Sequence, residues 1–369
     1  SGWNLLSVPY QPEDQTFGSL FPSCTSGFLY DSDSGNQLIK DKDSVPIGEG
    51  FWAKCTSGTV QVTGQRVGSR DISVTAGWNL IGPQADSVDV GAISSEPSGI
   101  TISSAYSFSM SDGYTKVSTL APGNGHWINV SQSGTLTFGN KSATNGLAAR
   151  PRQQNVGRDG RTVSIQVTDS QGREATLRLR RGSPPAEKRG YELPPVPPKG
   201  TFDIRFANGA SLATVEANAG DASFENVRLQ GVEYPLTLQL QGTSPSRGVD
   251  VRQSQGPDAE VATLSPSAPS VTLQDGTGQL QMGLRDVPGQ FSLRPSTPNP
   301  ASEQSTITFS VPEQTHVEIA LFDVLGRRVR TLTDAEKTPG QHDVRLDVQS
   351  LSSGTYFYRM SADGFSETR

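Results

Sequence analysis

The sequence predicts an all-β chain, a multidomain array of β-sandwich-like units. Apolar residues recur at every second position in short runs, the pattern of half-buried strands, while helix-period stripes are hard to find. Gly and Pro number 39 and 25, against 18% charged and 33% hydrophobic residues, a composition of turns and short strands. At 369 residues the chain exceeds one ordinary domain, so about two to four compact units are expected.

The first unit is a duplicated β domain over 1–142, with copies at 1–70 and 71–142. Gly2-Trp3-Asn4-Leu5-Leu6 recurs as Gly77-Trp78-Asn79-Leu80-Ile81, and Gly48-Glu49-Gly50-Phe51-Trp52 as Gly123-Asn124-Gly125-His126-Trp127. Trp3 and Trp78, and Trp52 and Trp127, are each 75 residues apart, which places all four tryptophans in two related pairs. Trp-Asn-Leu-Leu-Ser-Val alternates as a half-buried strand does, and Gly-x-Gly before the second Trp gives freedom for a tight turn or bulge. A polar linker is expected at 143–160.

A middle β-sandwich is expected over 161–288. Thr162–Val167 and Glu174–Leu179 form a hairpin around Asp169-Ser170-Gln171-Gly172. The run Leu193-Pro194-Pro195-Val196-Pro197-Pro198 lacks ladder donors and favours an extended path. It reads as a crossover, or as a ligand for an aromatic-groove module. Strands follow at Phe202–Phe206, Ser223–Leu229, Leu236–Leu240, Ser270–Gln274 and Gly278–Leu284. The last unit, 289–369, alternates through Val317-Ile319-Leu321, changes phase near Leu321-Phe322, turns at Leu325-Gly326-Arg327-Arg328 and alternates again at Val344-Leu346 and Tyr356-Tyr358-Met360. Six or seven short strands here fit an immunoglobulin-like sandwich.

Pro298-Asn299-Pro300, Thr306-Ile307-Thr308-Phe309, Val317 to Val329 with Asp323-Val324-Leu325-Gly326-Arg327, and Leu351-Ser352-Ser353-Gly354-Thr355-Tyr356 resemble the type A C-terminal sorting domain of proteins exported by the type IX secretion system of Bacteroidota. The Gly-Trp-Asn-Leu repeat looks like one common in surface proteins of the same bacteria. Leu-Pro-Pro-x-Pro-Pro followed by Phe-Asp-x-Arg-Phe is similar to a β domain that often precedes the sorting domain. The resemblance implies an extracellular or outer-membrane-surface location. It implies as partners the outer-membrane translocon and a sortase-like protease that cuts before Phe291, with attachment to surface lipopolysaccharide. Carried onto this chain, the recognition elements are Pro298, Asn299, Pro300, Asp323, Gly326 and Gly354. The family has Phe and Asn where Ala301 and Ser302 stand, and continues beyond Thr368-Arg369 into a further short strand that is missing here. No signal peptide is visible, so a fragment of a larger protein is expected. An oxidising destination allows Cys24 and Cys55 to form a disulfide; two buried thiols are the other reading.

No catalytic constellation stands out, and the chain is read as non-enzymatic, with no cofactor. His126, His316 and His342 are the only histidines, and none has metal-site spacing. There is no Gly-x-Ser-x-Gly elbow and no phosphate-binding Gly-x-x-x-x-Gly-Lys loop. The mild net charge of −6 argues against a nucleic-acid partner, and no run of about 18 apolar residues suggests a transmembrane helix. Asp31-Ser32-Asp33-Ser34-Gly35 is a weak calcium candidate through Asp31 and Asp33, against a plain hairpin tip. Trp52 and Trp127 are a candidate sugar-stacking platform, against a core role. They carry the alternative function, a carbohydrate-binding or adhesion module with surface polysaccharide as partner. A second alternative is an accessory region of a larger secreted hydrolase.

Overall fold

The computed structural model describes residues 2–32, 34–56, 60–68, 70–138, 161–185, 188–215, 223–242, 247–253, 261–276 and 278–369. Among these residues strands dominate, in several largely antiparallel sheets with no barrel. Helix among these residues is one turn at Phe17–Leu20 and two 3-10 turns, Val90–Ala92 and Lys188–Tyr191. The expected linker at 143–160 lies outside the described residues.

Residues 2–138 contain two four-stranded sheets with the same spatial order. The first runs Gly2–Ser7, Gly50–Cys55, Cys24–Asp31, Gly35–Ile39; the second runs Gly77–Ile81, His126–Val130, Ile102–Ser109, Gly113–Lys116. Leu5 lies opposite Trp52 and Trp52 opposite Phe28; Leu80 lies opposite Trp127 and Trp127 opposite Tyr106. One face of each sheet has its own core, around Phe17, Phe21 and Phe51 in the first and Ile128, Leu136 and Phe138 in the second. The other faces meet in a shared cluster of Leu5, Trp52, Leu80, Tyr106 and Trp127, joined by Trp3, Phe28, Tyr30, Trp78, Phe108, Tyr114 and Leu193. Burial on both sides explains why His126–Val130 is buried at every position.

Reciprocal backbone bonds lock the two sheets. Ser7 N–H donates to Gly123 O and Gly82 N–H to Gly48 O, both at 3.0 Å. Leu6 bridges Asn124, and Ile81 bridges Glu49. Here the structure divides the roles of Gly-x-Gly. Gly48 and Gly123 turn with φ of 89° and 82°. Gly50 and Gly125 admit close approach: a Cβ would stand 2.9 Å from Ile81 O and 2.8 Å from Leu6 O.

Residues 161–286 hold two five-stranded sheets. One runs Leu212–Val215, Glu174–Arg181, Thr162–Thr168, Leu236–Gln241, Ser270–Leu273; the other runs Asp203–Phe206, Phe224–Gln230, Leu280–Asp286, Arg247–Gln253, Val261–Leu264. Glu174–Arg181 and Leu212–Val215 pair in parallel. Alternation turns Val163, Ile165, Val167, Leu177 and Leu179 into one core with Phe206, Val227, Val249, Val251 and Met282.

The last unit packs a three-stranded sheet, Ser292–Leu293, Gln304–Val311, Gly340–Asp347, on a four-stranded one, Arg328–Lys337, Thr315–Phe322, Phe357–Ala362, Phe365–Thr368. Ile307, Phe309, Val317, Ile319, Leu321 and Met360 fill the space between. The phase change near Leu321-Phe322 is a register shift against the returning strand. The strand Phe365–Thr368 was not foreseen; Phe365 stacks on Phe291, ring centroids 5.3 Å apart.

Candidate functional site

The residues read as a sorting signature collect at one end of this last sandwich. Strand direction does the gathering: Gln304 pairs with Asp347, and Phe322 pairs with both Arg328 and Phe357. Pro298, Asn299 and Pro300 are exposed just before Gln304. Thr297 bridges Thr306, and Pro298 O accepts from Ser305 Oγ at 2.8 Å. Asp323 and Gly326 make the turn between Phe322 and Arg328. Gly354 is exposed in the loop between Asp347 and Phe357, with open space where a Cβ would lie. Arg330 joins the turn to that loop, donating to Asp347 O at 3.2 Å and Ser350 Oγ at 2.7 Å.

The turn is held from within. Asp323 Oδ1 accepts from the N–H of Leu325 (2.9 Å) and of Arg327 (3.0 Å), and Oδ2 accepts from Arg327 Nε at 2.8 Å. The Arg327 backbone and guanidinium bonds, then Leu325 N–H, hold the Asp323 carboxyl below the usual aspartate range. Gly326 sits at φ 75°, where a residue with a Cβ is strained. Asp323 and Gly326 thus have an architectural role whatever else they do. The opposite end of the sandwich faces the rest of the chain, since Pro339 O accepts from Arg285 Nη1 at 3.2 Å.

Residues 297–369 match the family model described as a secretion system C-terminal sorting domain. The match indicates a secreted or cell-surface protein. Among the described residues no helix is long and apolar enough to cross a membrane. No curated protein matches the chain. The sandwich reaches back beyond the matched range, since Ser292 pairs with Ser310 and Leu293 with Phe309.

Four apolar side chains stand exposed at the signature end of the sorting domain, a property that strand alternation does not reveal. Val324, Leu325, Val329 and Phe357 are exposed by 66%, 74%, 42% and 42%, and they are four of the seven large apolar side chains exposed among the described residues. Phe357 lies beside Phe322, whose ring carries the Arg359 guanidinium at 5.1 Å.

The tryptophan platform must be corrected. Trp52 and Trp127 are each 1% exposed and offer no face to a sugar. Trp52 meets Phe108 edge-on at 4.7 Å, and Trp127 meets Tyr30 at 4.6 Å, each across to the other sheet. Burying both rings removes far more apolar surface from water than a ligand contact would cover.

The proline run lies against the same cluster. Leu193 joins the aromatic residues, and Tyr114 OH donates to Pro195 O at 2.9 Å. Burial raises the Tyr114 phenol pKa and keeps it a donor. Pro194 O accepts from Arg205 Nη1 at 2.6 Å, and Pro197 O from Gln230 Nε2 at 3.1 Å. These carbonyls are bonded within the chain, in keeping with the crossover reading. Arg205 also forks onto Asp203 with two bonds of 2.6 Å, and both side chains are buried.

Cys24 and Cys55 form a disulfide between paired strand positions. Asp31 Oδ1 accepts from Ser34 N–H at 2.7 Å and Ser34 Oγ at 2.6 Å; Asp33 lies outside the described residues. Among the described residues no group of three or more His, Cys, Asp or Glu is placed to hold a metal ion. The histidines are engaged separately. His126 is buried, and its Nε2 lies 2.9 Å from Ala121 N and 3.1 Å from Ala121 O; burial lowers its pKa, against the raising effect of a ring N–H bond to the Ala121 carbonyl. His316 Nε2 lies 2.5 Å from Asp334 Oδ1, and His342 Nε2 lies 2.8 Å from Thr338 O. A cleft of about 420 Å³ is lined by Lys116, Asp112, Glu174 and Asp203. Two of these carboxylates are already bonded locally, Asp112 to Ser109 and Ser111, and Asp203 to Arg205.

Proposed function

We propose that the chain is a non-catalytic portion of a secreted or cell-surface protein, with its last unit acting as export and surface-attachment signal for type IX secretion. The observation that carries this reading is the sorting-domain match over residues 297–369. The gathering of the signature at the end away from the Arg285 contact supports it, because a translocon must reach the label without dismantling the cargo. The proposed partners are the outer-membrane translocon and a sortase-like protease acting before Phe291. The upstream units serve as spacer and display elements. Residues 1–70 and 71–142 are two copies of one unit that complete a core only as a pair. The shared strand order and the reciprocal locks at Gly48 and Gly123 support that.

The test is localisation of the full chain behind a periplasmic leader in a type IX-competent bacterium, with and without residues 297–369. The full chain is expected at the surface or in the medium, and the shortened chain in the periplasm. Equal surface delivery of both would refute the reading.

A further inference from the structure

The Asp323 turn has a twin in the same chain. Asp169-Ser170-Gln171-Gly172-Arg173 repeats the order of Asp323-Val324-Leu325-Gly326-Arg327. The bonds within the turn are the same, although the Asp169 turn also bonds to Gly231 and Glu233: Asp169 Oδ1 accepts from the N–H of Gln171 and of Arg173, both at 3.0 Å, and Oδ2 accepts from Arg173 Nε at 2.9 Å. Gly172 and Gly326 have φ of 79° and 75°. In both turns the backbone N–H of the Gly donates to the Asp carbonyl and that of the Asp to the Arg carbonyl. Burial alone would raise the Asp169 carboxyl, but the Arg173 and Glu233 bonds outweigh it and hold it low, as at Asp323. The Asp, the Gly and the Arg are therefore what the turn geometry requires. The two tip residues are free to vary.

The twins differ at the tip. Ser170 and Gln171 are the ordinary choice for two side chains standing in water. Val324 and Leu325 are exposed by 66% and 74% in a turn closed by the same internal bonds, so the fold does not explain their apolar character. Val329 and Phe357 add exposed apolar surface at the same end of the sheet, away from the Arg285 contact. On the four-stranded sheet that carries the tip the balance of charge is basic, while Glu303 and Asp347 stand exposed at the same end of the other sheet. Asp323 is paired with Arg327 and Glu318 with Arg328. Arg330 and Arg359 bond only to carbonyl and hydroxyl oxygens. Exposed apolar side chains on a bonded turn, flanked by arginines, are the anatomy of a protein docking site.

We infer that Val324 and Leu325, supported by Val329 and Phe357, are the docking tip of the sorting domain, and that the occupant is a secretion-machinery protein offering an apolar pocket rimmed by carboxylates. This rests on the export reading above and names the contact residues within it. Asp323 and Gly326 then act as positioning residues for the tip.

The test transplants the twin's tip. The full chain behind a periplasmic leader is compared with its Val324→Ser/Leu325→Gln variant, in type IX-competent and translocon-null cells. A control variant, Ser170→Val/Gln171→Leu, carries the reverse exchange in the other turn. The tip variant is expected to melt at the wild-type temperature, because its turn bonds are untouched. Its surface delivery is expected to fall about tenfold or more, the scale of truncating an apolar interface anchor, while the control is delivered normally. Wild-type delivery of the tip variant would overturn the docking inference and leave the export reading standing. Translocon-independent delivery of the wild type would instead sink the export reading. A wild-type dimer in sedimentation that the tip exchange dissolves without loss of delivery would assign the tip to a second copy of the chain and also overturn the inference.

Discussion

Trp127→Ala tests whether residues 2–138 form one cooperative block. Trp127 is 1% exposed, at the centre of a strand buried on both faces. Its ring meets Tyr30 of the other sheet at 4.6 Å and Trp78 of its own at 6.5 Å, both edge-on. Truncating a fully buried aromatic costs about 3–5 kcal/mol, a large share of the roughly 5–15 kcal/mol that holds a typical domain. The Trp127–Tyr30 pair should account for about 0.5–1.5 kcal/mol of that, read as the coupling in a double-mutant cycle with Tyr30→Ala. The assay is hydrogen exchange by mass spectrometry on the intact chain. Because the cavity opens in the shared cluster, amides of Gly2–Ser7 and of Gly77–Ile81 should lose protection together. Loss confined to the second sheet, with no coupling to Tyr30, would refute the shared-core account.

Three further outcomes follow from side chains already described. His126 has a lower pKa folded than unfolded, so the unfolded chain takes up the proton first; the stability the neutral ring supports is full above the unfolded value and falls as pH drops below it. Denaturant titrations of His126→Phe, the residue type at Phe51 in the first sheet, should therefore gain on wild type by up to about 1.4 kcal/mol per pH unit on acidification below about pH 6.5, and parallel pH profiles would contradict this. Arg205→Leu strands the buried Asp203 carboxylate and should cost about 3–5 kcal/mol in urea unfolding, with Arg205→Lys rescuing only part; a loss below about 1 kcal/mol would show that water relieves the site. Gly354→Ala adds a methyl into open space and should change stability by no more than about 0.5 kcal/mol, so reduced export at unchanged melting temperature would assign Gly354 a recognition role, and a large melting shift would refute that.

Much of the fold was legible because alternation survives wherever one face is buried. Thr162–Val167 and Ile307-Phe309-Val311 point their apolar residues inward as the pattern requires. The alternation in Gly2–Ser7 and Gly77–Ile81 marked strands, and Asp169-Ser170-Gln171-Gly172 announced its turn. A core role for Trp52 and Trp127 was one of the two readings the sequence offered; what it did not show is the second sheet that closes over a face which one unit alone would leave open. The close-approach role of Gly50 and Gly125 was hidden for the same reason, since Ile81 O and Leu6 O arrive from the other sheet. The bonding of the proline run needed Tyr114, Arg205 and Gln230 to come near it in space. The apolar tip was present in the sequence all along. It becomes informative once the Asp169 turn shows that its bonds need only Asp, Gly and Arg.

The most direct measurement of the central claim is the protease-accessible surface fraction of the wild-type chain in type IX-competent cells and in an isogenic translocon-null strain. The account predicts surface protein in the first and periplasmic retention in the second. Equal surface fractions in the two strains would contradict it.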